Sequence, residues 1–332
     1  MVHALEIGNN GEVAFALRGE PAWHKLGTVF DATEHLTTAQ MLERAHLNNW
    51  NVRLEDIPLP EGYNSHTANQ LVVRDNPFGE GVDVLSVVGD RYKVVQNEQL
   101  FNFGDAILDG GAEWESAGSI KNGRLVFGSL QVPREFILDP EGANDVTKTY
   151  LLVHTSHDGS TSVQASITPV RVVCQNTLNI AIKSAKQSFK VRHTQTVEGR
   201  IGMARDALGL TFNFMDKFEE DARAMFETEI TKAQFDKLVA DLYPVPEDNA
   251  SKVALTRYDD KVDIIQHLYT EGATNANITG TAWGAFNALT ERIDYFRTGR
   301  KGGEAIVAAA SGFDTVVNAE KNRVYQAVMA LV

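Results

Sequence analysis

Apolar and polar positions alternate over much of the first 195 residues of the chain and recur at helical spacing after that. Alternation puts successive side chains on opposite faces of a strand, whereas helical spacing lines a single face of a helix. The segments EVAFALRG, NWNVRLEDIPL, QLVVRD and VLSVVGDRYKVV read as strands. A short helix is predicted to His46 with Thr37 or Thr38 as its N-cap and Met41, Leu42 and Ala45 on its apolar face. A second is predicted with Asn97 as its cap and Gly110-Gly111 as its stop. AEWESAGSI and GRLVFGSLQVP form a predicted hairpin across Lys121-Asn122-Gly123, since Asn and Gly both tolerate positive φ.

Asp139 to Lys148 reads as a loop. TYLLVHTS and STSVQASITPVRVVC read as two further strands around the turn His157-Asp158-Gly159-Ser160, and NTLNIAIKSAKQ as a helix that starts near Asn176. Beyond Thr196 the pattern is helical throughout, in a long stretch to Glu227 followed by KAQFDKLVADLY, ALTRYDDKVDIIQHLYT, TAWGAFNALTERIDYFRT and FDTVVNAEKNRVYQAVMALV. The predicted class is α+β: an antiparallel sheet with flanking helices over residues 1–195, followed by a helical portion over 196–332. No internal repeat or low-complexity tract interrupts it.

Composition narrows the function classes. At 332 residues, 43% apolar and 23% charged, the chain has the make-up of a globular protein with a real core. No apolar run approaches the ~20 residues of a membrane span, and no secretory leader is read at the start, so a cytoplasmic setting is expected. The single cysteine, Cys174, excludes an intrachain disulfide and a Cys-rich zinc site. The net charge of −13 argues against indiscriminate binding to nucleic acid or membranes. That charge is uneven, however. From Val170 to Arg205 seven Lys and Arg residues face one carboxylate, Glu198, so this stretch carries 7 − 1 = +6, and the segment after it is strongly acidic.

Four stretches carry a resemblance: Glu20 to Thr28 with its Trp23-His24-Lys25-Leu26-Gly27-Thr28, Gly89 to Asn97, His157 to Asn179, and Thr281 to Glu291. In this order the chain resembles a phage- and plasmid-associated family of unknown function with a Trp-His-x-Leu-Gly-Thr signature. The resemblance implies a mobile-element source and a bacterial host cytoplasm. It brings no activity, cofactor or catalytic residue.

Four groups of residues could carry chemistry. Cys174 beside a histidine such as His154, His157 or His193 would make a nucleophile–base pair, against the alternative that Cys174 is a small buried hydrophobe. His154, His157 and Asp158 could approach a metal, although Asp158-Gly159-Ser160 is also ordinary turn chemistry. Trp23-His24 reads as a packing device or a recognition loop. The fourth group is the passage from Arg171 through Lys183, Lys186 and Lys190 to Arg192 and Arg200. On a helix that starts near Asn176, the three lysines share one face, and the helix N-terminus adds an anion site. A solvated lysine face is the alternative.

Nucleic-acid binding without base readout is the leading expectation, in phage or mobile-element DNA metabolism and most concretely as single-strand binding or annealing in recombination. Arg171, Lys183, Lys186, Lys190, Arg192 and Arg200 would carry it, with no catalytic residue, metal or cofactor and with homo-oligomerisation compatible. An acidic module that modulates a host enzyme, through Glu219-Glu220-Asp221 and Asp259-Asp260, is the alternative, and a metal- or Cys-dependent hydrolase the third.

Overall fold

In a computed structural model the described residues are 5–19, 26–62, 68–101, 104–161, 163–171, 176–177, 188–190, 197–247, 249–296 and 315–332. The organising element is a long antiparallel meander. Strand β6 (Glu113–Ile120) turns into β7 (Leu125–Leu138), which turns into β8 (Asp145–Ser156), which turns into β9 (Gln164–Arg171). The β6–β7 turn has the predicted chemistry, with Lys121, Asn122 and Gly123 all at positive φ. β1 (Phe15–Arg18) extends the sheet antiparallel to β6, and β2 (Thr28–Phe30) adds to it in parallel. At the other end, β10 (Asn176–Thr177) and β11 (Ser188–Lys190) both pair with β9, giving eight strands. A separate three-stranded sheet is built by β3 (Arg53–Asp56), β4 (Gln70–Asp75) and β5 (Val82–Val88).

Strand alternation divides the large sheet into two apolar faces. Val126, Leu130, Leu151, Val153 and Ile167 belong to the main core, whereas Phe15, Leu125, Phe127 and Leu152 form a smaller cluster on the opposite face. Helices cover the main-core face. Near the β6 end lie α1 (Thr38–Arg44), whose N-cap is Thr37 of the two predicted threonines, in a reciprocal box with Gln40, α2 (Asn97–Phe101) and α3 (Gly104–Leu108). The 31-residue α4 (Val197–Glu227), α5 (Lys232–Leu242), α6 (Lys252–Thr270), α7 (Ala282–Tyr295) and α8 (Thr315–Met329) complete the helical layer. One continuous core joins them to the sheet, with Phe136, Phe218, Trp283 and Phe286 in ring contact along it. Each such side chain, once fully buried, contributes about 1.5–3 kcal/mol.

Two polar ties fix the helical layer. A bulge in β7 at Pro133-Arg134, where proline needs no ladder partner, turns Arg134 onto Asp216 at 2.8 Å and Glu219 at 2.7 Å on α4. Asp145, wholly buried at the start of β8, accepts the indole N–H of Trp283 from α7 at 2.7 Å.

Three local expectations are corrected. Asp145 to Lys148 is not loop but the first turnless stretch of β8, paired with Glu135 to Leu138, and the loop is confined to residues 139–144. The strand predicted over residues 84–95 stops at Val88. Asn97 does not cap α2. Its side chain is buried, with the amide donating to Leu47 O at 2.8 Å and the carbonyl facing His157 Nε2 at 3.0 Å.

Candidate functional site

Among the predicted basic residues, Arg171 ends β9, in register with Thr147 on β8 and Asn176 on β10. Lys190 ends β11, in register with Gln164 at the other end of β9. The two positions therefore stand about seven residues apart along one strand edge, roughly 24 Å. Arg200 sits in the first turn of α4. Lys183, Lys186 and Arg192 lie outside the described residues, as do Cys174, His193 and the Trp23-His24 pair.

The helix expected from Asn176 is overturned at both ends. Asn176–Thr177 and Ser188–Lys190 are strands, so Lys190 cannot share a helical face with Lys183 and Lys186. The physical reason is the edge of β9, whose backbone N–H and C=O groups β10 and β11 satisfy. Local helix propensity is weak beside that requirement.

The histidines are placed clearly. His154 lies in β8, 6% exposed, and His157 is wholly buried where β8 ends. His157 N–H donates to Arg124 O at 2.8 Å, and its carbonyl accepts from Ser86 Oγ of β5 at 2.8 Å. Asn97 has given its N–H₂ to Leu47, so its Oδ1 accepts and His157 is the Nε2–H tautomer. Nδ1 is buried, with no hydrogen-bond partner among the described residues. Burial, reinforced by the Arg74 charge and opposed by Asp158, depresses the His157 pKa to about 4, and burial takes His154 to about 4. Asp158 is engaged by the Ser160 N–H at 2.9 Å, as its turn chemistry predicts. Among the described residues no three His, Cys, Asp or Glu side chains assemble into a possible metal site.

Behind His157 stands a network that the sequence reading missed. Its ring faces Trp50 at 5.6 Å, and Trp50 carries the Arg74 guanidinium 3.9 Å from the centre of its ring. Arg74 is 1% exposed and is gripped by Glu6, which also accepts Ser119 Oγ at 2.6 Å, and by Asp83 at 3.1 and 3.2 Å. The signal was present in QLVVRD, where the alternation that turns Val72 inward also turns Arg74 inward. These contacts join the small sheet to the large one, and they offer a tie between sheets rather than a set of reactive groups.

The acidic clusters divide. Glu219 pairs with Arg134 and Arg223, Glu220 with Lys217, and Asp221 accepts from Tyr325 Oη. Asp259 and Asp260 are exposed on α6. No described helix is long and apolar enough to cross a membrane.

A family model described as a domain of unknown function, DUF932, matches residues 84–318, well over half of the chain. The chain belongs to the DUF932 family. The DUF932 region contains Arg171, Lys183, Lys186, Lys190, Arg192 and Arg200 together with both buried histidines, while Trp23, His24, Trp50 and Arg74 precede it. Searches of curated proteins and of solved structures gave no match.

Proposed function

We propose that this DUF932 protein binds nucleic acid without reading base sequence, through the segment from Arg171 to Arg205. The observation that carries the reading is the +6 charge of that segment in a chain of net charge −13. Its strand-borne members, Arg171 and Lys190, belong to the last strands of the large sheet, where a bound backbone can run alongside. Cations at intervals along an edge neutralise successive phosphates and release their counterions, and such binding needs no catalytic group. In the specific form we favour, the protein is a phage or mobile-element factor that holds or anneals single strands during recombination in a bacterial cytoplasm. This part rests on the resemblance of the Trp23-His24-Lys25-Leu26-Gly27-Thr28 stretch and on analogy.

Fluorescence anisotropy of a labelled single-stranded oligonucleotide with the full chain tests it. If about five cations engage phosphates, the log–log salt slope is about −3.5. Arg171→Gln and Lys190→Gln should each flatten that slope by about 0.7. Absence of binding at low salt removes the proposal.

A second reading, a protein-interaction module, is favoured by β5. This strand edges the small sheet and leaves Val82, Val84 and Val87 more than half exposed. Exposed β-branched side chains on a sheet edge suit strand addition by an extended partner segment. Here a partner retained after nuclease treatment and lost on Val84→Lys supports the reading, whereas retention by that variant removes it.

A further inference from the structure

Among the described strands β5 is the longest at a sheet edge, with seven residues against four in β3, three in β2 and β11 and two in β10. One side of it pairs with β4. Among the described residues no backbone hydrogen bond joins Val82–Val88 to any other segment. A strand left in this way presents a row of N–H and C=O groups that another strand can take up.

The two faces of β5 differ. Asp83 accepts from Arg74, Leu85 enters the core and Ser86 Oγ donates to His157 O, so these three point inward. Val82, Val84 and Val87 share the outer face, in register with Asp75, Val73 and Leu71 of β4. Leu85 is the extra residue of a bulge, which sets Val87 rather than Ser86 beside Val84 on that face. All three valines are more than half exposed. The other edge of the same sheet is charged: on β3, Arg53 pairs with Glu55 at 2.9 Å and with Asp75 at 2.7 Å. Lysine, proline or another charge commonly protects an exposed edge, and the outer face of β5 carries none of them.

We infer that β5 pairs antiparallel with β5 of a second copy of this chain, joining the two small sheets into one. The inference rests on the reading of β5 as a pairing edge and names what pairs with it. Two features select a second copy. The strand is self-complementary: one two-fold register sets Val84 of each copy opposite Val87 of the other and Leu85 opposite Ser86, so outer faces meet outer faces and inner meet inner. In that register Asp83 falls opposite Val88 and not opposite another carboxylate. The ion-paired β3 edge, by contrast, is a poor match for the valines, so the contact closes at two copies and does not continue head to tail. One strand pair with three valines from each copy lies at the small end of protein interfaces, below about 1,200 Å², which suits a reversible dimer with Kd on the order of 10–100 µM.

Sedimentation velocity of the nuclease-treated full chain, from about 1 to about 300 µM, tests the pairing. The average mass should rise with concentration from the monomer towards twice that value. Val84→Lys sets an ammonium against Val87 on both sides of the two-fold and should weaken association about tenfold or more, with an unchanged melting temperature because Val84 is exposed in the single chain. Val253→Lys makes the same change at an equally exposed valine on α6 and should leave association as it is. A monomer at every concentration overturns the dimer, as does a Val84→Lys variant that associates like the wild type or a Val253→Lys variant that is weakened equally. A monomer that still retains another partner, lost on Val84→Lys, removes the dimer alone and leaves the edge reading standing; a monomer that retains none removes both.

Discussion

Protonation of His157 should loosen the junction between the two sheets, and the size of the effect follows from its surroundings. The added proton would go to Nδ1, which is buried with no acceptor among the described residues, while Nε2–H remains on Asn97. Desolvation and the nearby Arg74 charge hold the folded-state pKa at about 4, against 6.5 for an unperturbed histidine. The folded state therefore binds fewer protons than the unfolded chain between those values, so stability rises with pH across the window. The contribution is fully present above the unfolded value and is lost as pH falls towards the folded one. Between about pH 7 and pH 5 the loss is about 2 kcal/mol for His157, and a similar amount applies to His154. Urea denaturation at both pH values, on the wild type and on His157→Gln, measures it. The glutamine amide can still donate to Asn97 but does not titrate. The variant should thus be less stable at neutral pH and lose about 2 kcal/mol less than the wild type on acidification. Parallel acid losses in the two proteins would refute the argument.

Three further outcomes follow from packing and pairing. Glu6→Ala leaves the buried Arg74 with only the partly exposed Asp83, and should cost about 3 kcal/mol in urea denaturation. Gly128→Ala places a methyl group on the Phe101 ring and 3.0 Å from Trp114, so a loss of about 1–3 kcal/mol is expected, with normal stability arguing against the close approach. Thr147→Val and Thr149→Val replace buried hydroxyls that make no hydrogen bond among the described residues, so each should be neutral or stabilising by up to about 1 kcal/mol; a clear loss in chemical denaturation would mean that those hydroxyls are satisfied.

Where the fold was legible, one local rule and the tertiary context agreed. The N-cap at Thr37, the Lys121-Asn122-Gly123 turn and the apolar spacing of α4 to α8 are examples, and they support the α+β class. The failures sit where a distant partner decides. Asn97 looked like a cap because an asparagine opens a helical run, yet Leu47 and His157 claim its side chain across the fold. Asp145 looked like loop material until Trp283 satisfied its carboxylate. The stretch from Asn176 was read as a helix from its local pattern, whereas strands β10 and β11 form at its two ends by pairing with β9. The charge of the basic segment was legible at once. The strand placement of Arg171 and Lys190 was not, because pairing with β9 is a property of that strand rather than of the cations.

The dependence of His157 on Trp50 and Arg74 bears on how the family region can be handled. The DUF932 match opens at Val84, inside β5, and closes at Asn318, inside α8. Excising those residues alone would remove Glu6, Trp50 and Arg74 from above the histidine, and Lys321, wholly buried, from its pairing with Asp294. The span that defines kinship is therefore expected to be less stable by itself than the full chain, and a fragment that keeps the flanking segments on both sides retains these contacts.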